Sequence, residues 1–90
     1  MKVEWDGTKA RENLRKHGVS FAKTAAVFSA ADTLEIYDDG HSDDEDRLVS
    51  IGPISSGIVV VVWTERSENI IRIISARMLR KPNESSTVTN

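Results

Sequence analysis

Ile58-Val59-Val60-Val61-Val62-Trp63 is an unbroken apolar run whose first five residues are β-branched, and no other stretch constrains the fold as much. β-Branched side chains favour pleated backbone over helix. A strand that is apolar on both parities needs cover on both faces, which predicts a central strand. Ile70 to Ala76 repeats the pattern with a single charged interruption, Arg72. At six residues the first run is far short of the ~20 that a membrane-spanning helix needs, so no membrane partner is expected. Met1-Lys2-Val3-Glu4-Trp5-Asp6 does not read as a signal peptide.

The rest of the chain supplies the other layers. Val3 and Trp5 predict a short first strand, ended by Asp6-Gly7. Asp6 or Thr8 can cap a helix from about Lys9 to His17, with Ala10, Leu14 and His17 on one side and Gly18 as its left-handed stop. Ser20 reads as the next N-cap. Phe21, Ala25 and Phe28 then mark a second short helix lined with Ala22 and Ala26, which completes a helical hairpin. From Thr33 the period becomes two, so Leu34 and Ile36 predict a half-buried strand. An acidic loop from Asp38 to Asp46 leads into another strand over Arg47 to Gly52, and Pro53 to Gly57 is a turn. The order is β-α-α-β-β-β-β. Helices segregated from a run of strands predict an α+β fold: a short N-terminal strand, a helical hairpin, then a four-strand antiparallel meander. With 90 residues there is room for one core, expected over residues 1–81. Residues 82–90 lack any apolar period and are expected to form a disordered tail.

The net charge of -2 hides a segregated pattern. Residues 1–31 carry six Lys/Arg against three acids, residues 32–46 carry eight acids and no Lys or Arg, and residues 47–90 again carry six against three. Folding can therefore bring two basic segments together beside one acidic loop, making a local anion site without a basic pI. The absence of Cys excludes a disulfide framework, a thiolate metal site and a Cys nucleophile, and it fits a reducing compartment.

Arg72 is the most informative residue, because a charge inside so apolar a strand is costly unless it is paired or faces a cleft. Its structural reading is an ion pair with Glu35, Glu45 or another acid. Its functional reading is a guanidinium whose planar fork holds phosphate. Regular alternation places Arg72 with Ile70, Ile74 and Ala76 and puts Arg77 on the other face. The two arginines can share a site only beyond the strand end or through a bulge. His17 and His41 are the chain's two imidazoles, able to accept and donate a proton near pH 7, although taken alone His17 reads better as a capping or core histidine and His41 as a solvated loop residue. His41 with Asp43, Asp44, Glu45 and Asp46 could hold a hard cation, but the spacing matches no metal motif, and a solvated acidic loop is the better reading. No cofactor is expected.

Glu4-Trp5-Asp6, Lys9-Ala10, Asn13, Lys16-His17-Gly18-Val19-Ser20-Phe21, Ala25 and Val27-Phe28 together resemble the opening of BrnT toxins. His41-Ser42, Glu45, Arg47, Ile51-Gly52 and Ile71-Arg72-Ile73-Ile74-Ser75-Ala76-Arg77 continue the likeness in order, from about residue 3 to 80. The resemblance implies a RelE-like fold and a cytoplasmic endoribonuclease toxin of a type II toxin-antitoxin module. It also implies neutralisation by a BrnA-like, DNA-binding antitoxin. It places Lys16, His17, His41, Glu45, Arg47, Arg72 and Arg77 in the family pattern. We read a histidine or Glu45 as proton acceptor, Arg47, Arg72 and Arg77 as the phosphate clamp, and Lys9 and Lys16 as further substrate contacts. The expected reaction is metal-independent, with the ribose 2'-OH as nucleophile. Family members continue past Ser-Ala-Arg into a basic helix with Glu-Arg-Arg and a Tyr, whereas here Met78-Leu79-Arg80-Lys81-Pro82 runs into Ser and Thr. The alternative expectation is therefore an attenuated, toxin-like binding module that holds an antitoxin and tunes its transcriptional autoregulation.

Overall fold

In the computed structural model, which describes residues 2–37 and 46–79, the chain runs β1 (Lys2–Trp5), α1 (Gly7–His17), α2 (Phe21–Thr24) and a 3₁₀ turn (Ala25–Ser29). It continues through β2 (Leu34–Tyr37), β3 (Leu48–Ile54), β4 (Gly57–Ser67) and β5 (Ile70–Met78). The element order is the one read from the sequence. The strands form one sheet in the order β1-β5-β4-β3-β2, so the apolar run lies at its centre. β2, β3, β4 and β5 pair antiparallel in succession, while β1 returns parallel to β5. The expected tail, 82–90, lies outside the described residues. No helix among those described is long and apolar enough to cross a membrane.

Local signals set the helix ends. Asp6 Oδ1 accepts from the Thr8 N–H at 2.9 Å, starting α1 two residues before the expected Lys9. Gly18 closes it at φ 70°, its N–H donating to Leu14 O at 2.8 Å. The inner stripe of α1 differs from expectation. Ala10 packs against the core, but Leu14 is 50% exposed, His17 is exposed, and the one buried residue of the helix is Asn13. Ser20 caps α2, accepting from the Lys23 N–H at 3.2 Å. After Thr24 the helix tightens to 3₁₀, so its inner line is Phe21, Thr24 and Val27 at a spacing of three, and Ala22 and Ala26 face out. Thr24 is accommodated there because its Oγ1 donates to Phe21 O at 2.9 Å.

Phe21, Val27 and Val19 cover Val59, Val61 and Trp63 of β4 and Ile71, Ile73 and Ala76 of β5, forming the core. Trp63 is fixed on two sides. Its Nε1 donates to Ser50 Oγ at 2.8 Å, and Phe28 meets it edge-on at 5.5 Å between centroids. Gly52 is required where the 3₁₀ turn crosses β3, since a Cβ there would fall against Thr33 Oγ1 and Val27 Cγ2.

The second face carries the other parity and has no helix over it among the described residues. Leu34 and Ile36 lie on it and are 57% and 46% exposed, so β2 is an exposed edge strand where a half-buried one was expected. Near the sheet centre of this face Val60 and Thr64 are nonetheless buried.

Candidate active site

A bulge in β5 shapes the candidate site. Val62 pairs with Ser75 but Trp63 pairs with Ile73, which leaves Ile74 as an extra residue. Upstream of the bulge Arg72 stands opposite Thr64, and downstream Arg77 stands opposite Val60. Thr64 and Val60 are an even number of residues apart on β4, so Arg72 and Arg77 share the second face, about 13 Å apart along the strand at ~3.3 Å per residue. The same shift sends Ala76 to the core side, away from Arg72, correcting the face that regular alternation predicts.

Arg72 is flanked by Glu4 on β1 and Thr64 on β4. It is partly buried and makes no ion pair among the described residues. Glu35, one proposed partner, is excluded by topology. It pairs with Ser50 on the helix side of β2, three strands and about 14 Å away at ~4.8 Å per strand. Thr64 Oγ1 donates to Asp46 O at 2.6 Å, so the chain enters β3 alongside Thr64 with Arg47 next in line, level with Arg72 across the sheet. Tyr37 donates to Asp46 Oδ1 at 2.9 Å and fixes that entry from β2.

Arg77 belongs to a second cluster. β1 pairs only with Ile70 to Ile73, so beyond Ile73 the outer edge of β5 is left to α1. There Lys16 and His17, from the last turn of α1, join Arg77 and Met78 around a polar depression of about 330 Å³. Arg15 and Lys16 sit where the helix C-terminal partial charge favours cations. Lys9 is exposed two turns earlier on α1, on the same side as Lys16, and does not line the depression. His41 and Glu45 lie outside the described residues. The described site thus offers guanidinium, ammonium and imidazole groups around an open surface, a set suited to an anion with several acceptor oxygens.

Asn13 is the participant whose role the sequence did not disclose. Its Nδ2 donates to Ala76 O at 2.8 Å and to Val19 O at 3.2 Å, and its Oδ1 accepts from the Ala76 N–H at 3.1 Å. The available signal was a polar residue on the inner stripe of a helix, between Ala10 and His17.

Two helices on one side of a mixed sheet, with Arg72 and Arg77 on the other, define a small α+β protein with a basic candidate site. Residues 5–83 match the family model described as ribonuclease toxin, BrnT, of type II toxin-antitoxin system. The chain belongs to this BrnT family of ribonuclease toxins. Among solved structures it is similar to the Brucella abortus ribonuclease toxin BrnT, with 26% identity and a TM-score of 0.68 over 90% of this chain and 99% of that one. No curated protein sequence matches it.

Proposed function

We propose that this chain is a metal-independent endoribonuclease of RelE-like architecture that cleaves RNA by attack of the ribose 2'-OH on the adjacent phosphate. The carrying observation is the β5 bulge, which brings Arg72 and Arg77 to one face with Lys16 and His17 at its edge. Transesterification needs a base for the 2'-OH, cations for the charge gathering on the phosphorane oxygens, and an acid for the departing 5'-oxygen. In this reading Arg72 and Arg77, with Arg47, hold the phosphate. His17, His41 or Glu45 takes the 2'-OH proton, and Lys16 and Lys9 hold flanking phosphates. The sequence carries no spacing typical of a metal site, which favours the substrate's own hydroxyl over a metal-bound water as nucleophile. The partner proposed is a BrnA-like, DNA-binding antitoxin, and the compartment is the cytoplasm.

The test uses one RNA and its variant with a single 2'-deoxy nucleotide at the cleaved position, each in excess EDTA. The expected result is cleavage of the first to a 2',3'-cyclic phosphate and resistance of the second. Cleavage of the deoxy variant, or activity that disappears in EDTA and returns with Mg²⁺, rejects the mechanism. A chain that holds the antitoxin and leaves RNA intact is the binding module instead.

A further inference from the structure

We infer that Asn13 is a positioning residue for the anion site, acting through Ala76 on Arg77; this rests on the ribonuclease reading above. The depression has two walls. Lys16 and His17 belong to α1, and Arg77 and Met78 belong to β5. Among the described residues, the hydrogen bonds that tie these two elements are those between Asn13 and Ala76. Ala76 is the residue next to Arg77, and Asn13 stands three and four residues before Lys16 and His17 on the same helix. One carboxamide therefore sets the distance between the cationic groups of both walls.

Its geometry is that of a missing strand residue. β1 leaves the sheet after Trp5, opposite Ile73, and the edge of β5 next offers the N–H and C=O of Ala76. Asn13 Oδ1 and Nδ2 take both, as an adjacent strand would. The remaining Nδ2 proton goes to Val19 O in the link after Gly18, which fixes the side chain relative to the end of α1. Both Nδ2 protons are used, and the residue is 7% exposed. An apolar side chain of equal volume would fill the space and leave three backbone groups without partners.

The bulge makes this anchor consequential. β5 is pinned by β1 through Ile73 and by Asn13 at Ala76, and Ile74 is the extra residue between the two pins. Relaxing the second pin leaves the segment that carries Arg77 held on its β4 side alone, where Ala76, Arg77 and Met78 pair with Val61, Val60 and Val59, whereas Arg72 keeps Glu4 and Thr64 on either side.

The experiment measures binding of a short, fully 2'-O-methylated RNA, which the proposed mechanism cannot cleave, to the full chain well below its melting temperature. Asn13→Ala and Asn13→Asp are each tested alone and in an Arg77→Ala background. The aspartate keeps the acceptor for the Ala76 N–H and loses both donors, and it serves if the alanine variant does not fold. Either variant is expected to weaken binding about 10-fold alone and less than 2-fold without Arg77, the non-additivity expected of two residues acting as a unit. Equal losses in both backgrounds, or wild-type binding by a folded Asn13 variant, overturn the role. A wild-type chain that neither binds this RNA nor cleaves its unmodified form defeats the ribonuclease reading, and the Asn13 role with it. That result is distinct from one in which the wild type binds and the Asn13 variants bind as well.

Discussion

On the helix side of the sheet, the buried polar residues Asn13, Thr24 and Ser50 each have a defined hydrogen-bond partner, and Val59, Val61 and Ile73 are at most 1% exposed. On the opposite side Leu34 and Ile36 stay half exposed, and Arg72 sits partly buried beside Glu4 without an ion pair among the described residues. Both faces are made by the same strands and differ only in residue parity. The helix side is a closed core, whereas the other side is buried only near its centre, at Val60 and Thr64, and open around Leu34 and Ile36. On the reading proposed above, a cation on a mostly apolar strand, without an ion pair among the described residues, serves what it binds more than what it stabilises.

Substitutions break or sharpen that contrast, and the largest effect belongs to the covered face. Phe21→Ala empties a position 1% exposed and packed edge-on against Trp5 at 6.2 Å. Chemical denaturation should show a loss of about 3–5 kcal/mol, with RNA cleavage falling only in step with the folded fraction. Selective loss of activity in a fully folded variant would erase the division between faces.

On the other face, Arg72→Ala should lower cleavage roughly 100-fold, about 2.7 kcal/mol of activation free energy, the usual consequence of losing one preorganised donor. Its melting temperature should stay within a few degrees of wild type, because no described partner is left behind. Arg72→Lys retains charge without the fork and should melt near wild type while cleaving poorly. A sharp drop in melting temperature for either variant returns Arg72 to a structural role. Gly52→Ala comes next, at about 1–3 kcal/mol of stability, since its methyl group meets Thr33 and Val27 and the 3₁₀ turn must shift. Unchanged thermal unfolding would show that the turn yields freely. The smallest effect is expected for Ile36→Thr, on an exposed edge strand, within about 0.5 kcal/mol in the same assay. A larger loss would mean that this face is covered in solution.

Period and end signals made much of the fold legible. The β-branched run named the central strand, Asp6 and Gly18 bounded α1, and the change of period at Thr33 located β2. Such signals are local, because caps and strand propensities act within a few residues. The inner line of the second helix was misread because its four-residue α segment passes into a 3₁₀ turn, and the spacing that decides burial changes from four to three.

The sequence by itself also determined which residues can do chemistry. An arginine in an apolar strand, a basic helix end and the order of motifs are all visible without coordinates, and they point to the same family that the match over residues 5–83 shows. Only the tertiary structure decided which of them share a face. Arg72 and Arg77 fall on opposite faces under regular alternation, and one extra residue, Ile74, reverses that. The bulge lies between two contacts far away in sequence, the parallel pairing of β1 up to Ile73 and the Asn13 carboxamide on Ala76. Parity along a strand is written residue by residue, but a bulge is fixed by whatever pins the strand on either side, and those contacts exist only after the chain has folded.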